Sequence, residues 1–127
     1  MIDSRNVILV IDDEQRIRDI YVRVLVEEGL IVRTASNTVD AEEILKQEDI
    51  DLVILDIHMP GFGGQTMLNI IREHNDQIKV IVASVYPLHV QRMMIKNVHD
   101  YYDKSHGAEL LLKKIYSTLS LTGTAKH

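Results

Sequence analysis

Residues 52–61 read LVILDIHMPG, and this stretch decides the fold of the chain. Leu52 to Leu55 contains no polar residue, which is typical of a strand buried on both faces, as in a parallel sheet. Asp56 comes where such a strand leaves the core, and Pro60 and Gly61 then break the chain into a loop. Taken alone, an aspartate after a strand is best explained as a turn or helix-capping residue. Its interpretation therefore depends on the residues at the ends of the other strands.

Outward from this stretch, apolar runs alternate with apolar residues at helical spacing. The runs predict strands at 7–11, 30–35, 51–55, 79–83 and 100–102. The helical spacing predicts one helix after each strand, marked by Ile17, Ile20, Tyr21, Val24 and Leu25, by Ala41, Ile44 and Leu45, by Met67, Ile70, Ile71 and His74, by Val90, Met93 and Met94, and by Ala108, Leu111, Leu112, Ile115 and Leu119. We expect an aspartate to cap the first helix, and Met93 and Met94 to pack against the core. Right-handed crossovers then give an α/β fold with a doubly wound, five-stranded parallel sheet.

The composition indicates one globular domain. The chain has 127 residues, of which 46% are hydrophobic and 26% charged. It has no cysteine, which excludes disulfides and thiolate metal sites and is compatible with a reducing cytosol, so we expect a cytoplasmic protein. The net charge is −5, and neither a basic nucleic-acid surface nor a signal peptide nor a membrane-spanning run is visible. We expect the domain to occupy residues 1–120, and residues 121–127 to be a short polar tail or the start of a linker.

The predicted strand ends bring polar residues to one edge of the sheet. Asp12 and Asp13 come after the first strand, Asp56 after the third, Ser84 after the fourth and Lys104 after the fifth. Ligands of open α/β sheets bind at this edge, and the strand order 2-1-3-4-5 makes the first and third strands neighbours. The converging carboxylates would repel one another unless a cation lay among them, and ligands that are all oxygen suit Mg²⁺.

These groups match the needs of phosphoryl transfer to a carboxylate. A metal ion and the Lys104 ammonium neutralise the phosphoryl oxygens, while the Ser84 hydroxyl and backbone N–H groups bind the remainder. Asp56 is the nucleophile in this interpretation.

With these residues in place, the chain resembles a two-component response-regulator receiver domain over nearly its whole length. Asp12-Asp13 matches the acidic pair of that family, Asp56 the phosphoacceptor, Ser84 the switch hydroxyl and Lys104 the lysine. The resemblance also implies a switch aromatic at Tyr101, a metal-ligating backbone carbonyl at His58, and pocket-flanking residues at Ile57, Val85 and Tyr86.

The same resemblance implies a flavodoxin-like fold and a function. The domain would take a phosphoryl group from a sensor histidine kinase with Mg²⁺ and switch the surface of its fourth helix, fifth strand and fifth helix. It would be a regulatory domain that catalyses only its own phosphorylation and dephosphorylation. Its partners would be the kinase and a downstream protein or attached output domain, without direct nucleic-acid or membrane binding, and a homodimer formed on phosphorylation is a further option.

The chain departs from the family pattern at several positions. Val85 replaces a smaller residue, which predicts a tighter pocket, and Ser105 replaces a common proline. Gly63 stands where an aspartate often lies. Asn97 and Val98 replace a Gly-Ala pair, although asparagine tolerates a left-handed turn better than most residues.

Three other functions are weighed against this one. A magnesium-dependent phosphatase of the haloacid-dehalogenase type would need an Asp-x-Asp pair, which residues 12–14 do not supply. A flavodoxin-type flavin protein would need a first loop that binds phosphate, and Asp12-Asp13-Glu14 would repel it. A receiver-like module that is never phosphorylated is disfavoured by the intact acidic pair, acceptor and lysine.

Overall fold

A computed structural model describes residues 5–58 and 63–120 of the chain. Five parallel strands form one sheet in the order β2-β1-β3-β4-β5. The strands are β1 (Val7–Ile11), β2 (Ile31–Ala35), β3 (Leu52–Asp56), β4 (Lys79–Ser84) and β5 (Asp100–Asp103). The helices are α1 (Gln15–Glu27), α2 (Thr38–Gln47), α3 (Gly64–His74), α4 (Leu88–Met94) and α5 (Ala108–Ser120). The predicted fold class and strand order are confirmed, whereas the proposed loop at Pro60-Gly61 and the tail at 121–127 lie outside the described residues.

The core consists of two layers because alternate strand residues point to opposite faces of the sheet. One layer joins the strands to α2 and α3 and includes Leu9, Ile11, Val53, Leu55, Ala41, Leu45, Met67 and Ile71. The other joins them to α1 and α5 and includes Ile8, Val10, Leu52, Ile54, Tyr21, Leu25, Leu111 and Ile115. All five residues of β3 are buried, as expected for a central strand covered on both faces.

Local backbone chemistry explains several element boundaries. Gly29 ends α1 with a φ of 85°, and the Asn37 side chain caps α2 by accepting a hydrogen bond from the Asp40 N–H. Asn97 adopts a φ of 66° before β5, as its tolerance of the left-handed region predicts. The expectation of an aspartate cap on α1 is wrong, because the N-cap is Glu14, whose side chain makes no capping bond.

Helix α4 differs from the prediction. Met93 and Met94 are 76% and 48% exposed, so they do not pack against the core. The fully buried residue of this seven-residue helix is Gln91. None of the helices in the described ranges is both long and apolar enough to cross a membrane.

Candidate functional site

Three carboxylates meet at the carboxyl edge of the sheet, where β1 and β3 lie side by side. One oxygen from each of Asp12, Asp13 and Asp56 lies within 4.8 Å of the others. Asp12 and Asp56 are 2% and 4% exposed, and Asp13 is exposed. Strand pairing fixes the arrangement, because Ile11 and Leu55, which precede these acids, are register partners. The predicted convergence is therefore present in the structure.

The Lys104 ammonium lies against two of these carboxylates. Its Nζ donates to Asp12 Oδ2 at 2.6 Å and lies 3.4 Å from Asp56 Oδ2. Lys104 begins a 3₁₀ turn directly after β5, and the Asp103 side chain caps this turn by accepting from the Ser105 N–H. This bond needs the backbone N–H of Ser105, which the proline common at this position in the family would lack. The turn is therefore stabilised with serine in place of that proline.

The Asp56 carboxylate is more basic than an ordinary aspartate. Burial raises its pKa and Asp12 raises it further, whereas the His58 N–H and the Lys104 ammonium act in the opposite direction. The His58 N–H donates to Asp56 Oδ1 at 2.9 Å. An oxygen that carries high electron density and is held by fixed donors is suited to nucleophilic attack.

The oxygen donors suit a hard divalent cation. Carboxylate oxygens are the ligands that Mg²⁺ prefers, and the adjacent cleft leaves room for the waters that it retains. This cleft has a volume of about 290 Å³ and is lined by Asp13, Glu14, Asp56, His58, Val85 and Lys104. Val85 is 64% exposed and stands at the mouth of the cleft.

The loop after β4 also reaches the cleft, which its residue Val85 lines. Ser84 is fully buried, and its Oγ accepts a hydrogen bond from the Tyr86 N–H at 3.1 Å. The Tyr86 hydroxyl lies 3.2 Å from His58 Nδ1, and the two rings are in edge contact with centroids 5.2 Å apart. Tyr86, which was predicted to flank the pocket, is therefore in contact with His58, which lines the cleft.

Tyr101 lies at some distance from this contact and touches α4. Its hydroxyl donates to the Ile95 carbonyl at 2.7 Å, and the Arg92 guanidinium lies 5.6 Å from the centre of its ring. The ring is partly buried against the core. Tyr101 thus links β5 to the end of α4, and any change in the Tyr101 rotamer would loosen this link.

Ile57 is buried and packs against the start of α3. It is 7% exposed, and a Cβ placed on Gly64 would meet Ile57 Cγ2 at 2.4 Å. The start of α3 can therefore approach Ile57 this closely only with glycine at position 64.

Sequence reasoning missed Gln91. The spacing of Leu88, Gln91 and Ile95 places Gln91 on the inner face of α4, so its burial was predictable from the pattern. Its hydrogen-bond partners are backbone carbonyls in the loop before α4 and in β5, and no sequence signal identifies them.

Comparison with known proteins places this geometry in a family. The family model of the response regulator receiver domain matches residues 8–116. The CAI-1 autoinducer sensor kinase/phosphatase CqsS of Vibrio cholerae is 29% identical over 113 residues, which are 85% of this chain and 16% of the relative. The DNA-binding transcriptional regulator NtrC of Escherichia coli strain K12 is 30% identical over 83 residues, which are 65% of this chain and 18% of the relative. The matched regions thus cover less than a fifth of either curated relative.

A solved structure agrees with these matches. The crystal structure of the response regulator protein TrrA from Thermotoga maritima, in complex with Mg²⁺-BeF, superposes with a TM-score of 0.79. The two chains are 33% identical, and the superposition covers 89% of this chain and 98% of that one. Since the family match runs from the first strand into the last helix, the chain belongs to the response regulator receiver domains, the regulatory domains of two-component systems.

Proposed function

We propose that Asp56 is the phosphoacceptor of this domain and takes a phosphoryl group from a sensor histidine kinase. The observation that carries this proposal is the grouping of Asp12, Asp13 and Asp56 around an ammonium that contacts two of them. Of the two buried carboxylates, Asp56 is the one that lines the cleft, and its Oδ1 accepts a hydrogen bond from the His58 N–H. A carboxylate oxygen attacks phosphorus in line with the leaving group, so it must be held in place before the donor arrives.

The other residues divide the charge of the transferred group. Asp12, Asp13, Asp56 and the backbone carbonyl of His58 would hold Mg²⁺, which supplies neutralisation of the phosphoryl oxygens when it is bound. The Lys104 ammonium would bind one phosphoryl oxygen, and the Ser84 hydroxyl would donate to another after it leaves the Tyr86 N–H. The complex of TrrA with Mg²⁺-BeF supports this assignment of the metal.

The signal would leave the domain through α4, β5 and α5. Movement of the Ser84 hydroxyl towards the phosphoryl group would leave room for Tyr101 to turn inward, at the cost of its bond to the Ile95 carbonyl. We further propose that residues 1–120 act as a regulatory domain in the cytoplasm, with a downstream protein or an attached output domain as reader. NtrC, a DNA-binding regulator, is a relative that supports an attached output domain. Dimerisation on phosphorylation is part of the same proposal.

The phosphoacceptor assignment is tested by mapping the modified residue. Wild type, Asp56→Asn and the control Asp76→Asn, an exposed turn residue, are incubated with acetyl phosphate and Mg²⁺ and analysed by mass spectrometry. We expect one acyl phosphate on Asp56 in the wild type and the control, and none in Asp56→Asn. A stable acyl phosphate formed at an unchanged rate in Asp56→Asn would refute the assignment. An unmodified wild type would instead favour a receiver that works without phosphorylation.

We also propose that the phosphorylated state decays slowly. Hydrolysis needs a water in line with phosphorus and opposite the Asp56 oxygen. Tyr86 contacts His58, which lines the cleft, and this contact supports exclusion of that water. Decay should quicken in Tyr86→Ala and in His58→Asn. Fast wild-type decay that slows in His58→Asn would show instead that the imidazole assists the water.

A further inference from the structure

Gln91 is a buried amide in the helix α4, whose other side chains are partly or largely exposed. Its exposed fraction is 0%, whereas Met93, two residues later, is 76% exposed. Its Nε2 donates to the Tyr86 carbonyl at 2.7 Å and to the Tyr102 carbonyl at 3.0 Å. One side chain of α4 therefore joins the loop after β4 to the strand β5.

The orientation of this amide is set by its partners. Both are carbonyl oxygens, which only accept, so the nitrogen must face them. Gln91 Oε1 is then buried without a hydrogen-bond partner among the described residues. An apolar residue at this position would avoid that unpaired oxygen, so what glutamine adds is the pair of bonds to the two carbonyls.

The bond from Gln91 is one of three contacts that hold Tyr86 in place. The Tyr86 N–H donates to Ser84 Oγ, its carbonyl accepts from Gln91, and its ring touches His58. The His58 N–H in turn donates to Asp56 Oδ1. A continuous series of contacts therefore runs from the phosphoacceptor carboxylate to Gln91, and Gln91 ends it at β5.

We infer that Gln91 is a positioning residue that holds the Tyr86 ring against His58, beside the cleft, and so prolongs the life of the aspartyl phosphate. This inference rests on the proposed function. In the step it slows, a water oxygen forms a bond to phosphorus while the bond from phosphorus to the Asp56 oxygen breaks. The products are inorganic phosphate and the Asp56 carboxylate, and the proton of the water passes to solvent. Gln91 touches none of the reacting atoms and acts only through Tyr86.

The test is a double-mutant cycle on the rate of decay. Gln91→Met keeps the length of the side chain and removes its donors, and Tyr86→Ala removes the ring but keeps the carbonyl. The domain is phosphorylated with acetyl phosphate and Mg²⁺, the donor is removed, and decay is measured in both single variants and in the double variant. We expect Gln91→Met to quicken decay about fivefold, the effect of losing the ordinary hydrogen bond that holds the Tyr86 carbonyl. In the Tyr86→Ala background the same substitution should change the rate by less than about 1.5-fold.

Thr118→Val is the control, because it removes a buried hydroxyl from α5 at a residue that does not line the cleft. It should alter the melting temperature but leave the decay rate unchanged. The inference is overturned if Gln91→Met shifts only the melting temperature, or quickens decay equally with and without the Tyr86 ring. Failure of the wild type to acquire phosphate would refute the proposed function and this inference together, whereas normal phosphorylation with no effect of Gln91→Met refutes the inference alone.

Discussion

The two halves of the sheet's carboxyl edge are built in different ways. The acidic half consists of Asp12, Asp13 and Asp56, which continue two central, paired strands. The tyrosine half consists of Tyr86 in the loop after β4, Gln91 in the short helix α4 and Tyr101 in the edge strand β5. Side chain–backbone hydrogen bonds connect its parts, as in the bonds from Gln91 to Tyr86 and from Tyr101 to Ile95.

Under the proposed function, the acidic half would carry out the phosphoryl transfer and the tyrosine half would transmit the signal. Moving the backbone of Asp56 would require displacing β3, which is buried on both faces. Rearranging the tyrosine half exchanges a few hydrogen bonds, each of which contributes on the order of 1 kcal/mol. Under the proposed function, the acidic half would offer a fixed site for binding and attack, and the tyrosine half would adopt a second arrangement when the site is occupied.

The largest expected effect concerns the acidic half and its metal. Asp13→Asn removes one carboxylate of the cluster at an exposed position, so the fold should be spared while Mg²⁺ affinity falls about 100-fold or more, as loss of a direct ligand implies. Mg²⁺ should raise the melting temperature of the wild type, since it binds the folded state, and should scarcely raise that of the variant. Asp19→Asn, an exposed aspartate of α1, is the control. An equal Mg²⁺-dependent shift in all three proteins would count against a metal site here.

Removal of the ammonium should have the next largest effect. Lys104→Met leaves the buried carboxylates of Asp12 and Asp56 facing each other without their cation. Without Mg²⁺ the free energy of unfolding should fall by about 3 kcal/mol, which is typical when one partner of a buried ion pair is removed. Saturating Mg²⁺ should reduce this deficit because it replaces the missing positive charge. Urea unfolding with and without Mg²⁺ measures both values, and a deficit independent of Mg²⁺ would show that the cation binds elsewhere.

The same contrast decides what the sequence could predict. Apolar runs show where strands end, so the convergence of Asp12, Asp13 and Asp56 was predictable once the strand order was inferred. In α4 the apolar residues Val90, Met93 and Met94 suggested the wrong inner face, whereas the spacing of Leu88, Gln91 and Ile95 marks the inner face that the structure shows. The partners of Gln91 were unpredictable for a different reason. Spacing identifies the inner face of a helix, but the carbonyls that an amide reaches are set by tertiary packing.

A smaller effect is expected where the two halves meet. Ser84→Ala removes the hydroxyl that now accepts from the Tyr86 N–H and would donate to the phosphoryl group. Asp56 should still be phosphorylated, because the carboxylates and Lys104 are intact. Amide exchange over residues 86–103 should then respond to phosphorylation in the wild type and hardly at all in the variant. An identical response in both proteins would remove Ser84 from the switch.

The smallest effect concerns the far end of β5, where His99 precedes the strand. The Val80 N–H donates to His99 Nδ1 at 3.0 Å, so this ring nitrogen must be unprotonated. Burial, Lys79 and Arg72 together lower the pKa of His99 below its ordinary value. The Arg72 guanidinium also donates to the carbonyls of Ile78 and Asn97, which keeps its positive charge close to this segment.

The lowered pKa of His99 sets the sign of the pH dependence. Well above the ordinary histidine pKa of about 6.5, His99 is neutral in both the folded and the unfolded chain and contributes no pH dependence. As the pH falls further, the unfolded chain binds the proton first, so the free energy of unfolding decreases until the folded-state pKa is reached. His99→Asn offers an acceptor in the place of Nδ1 and cannot titrate, so it should lose less stability than the wild type between pH 7.5 and pH 5.5. Urea unfolding at both pH values measures the difference, and the protection factor of the Val80 amide, which corrects for the intrinsic slowing of exchange at lower pH, should fall with acid only in the wild type. If both proteins lose the same stability and acid changes the protection of the Val80 amide equally in both, the Val80–His99 bond survives acid. The anchoring of β5 then does not depend on this imidazole.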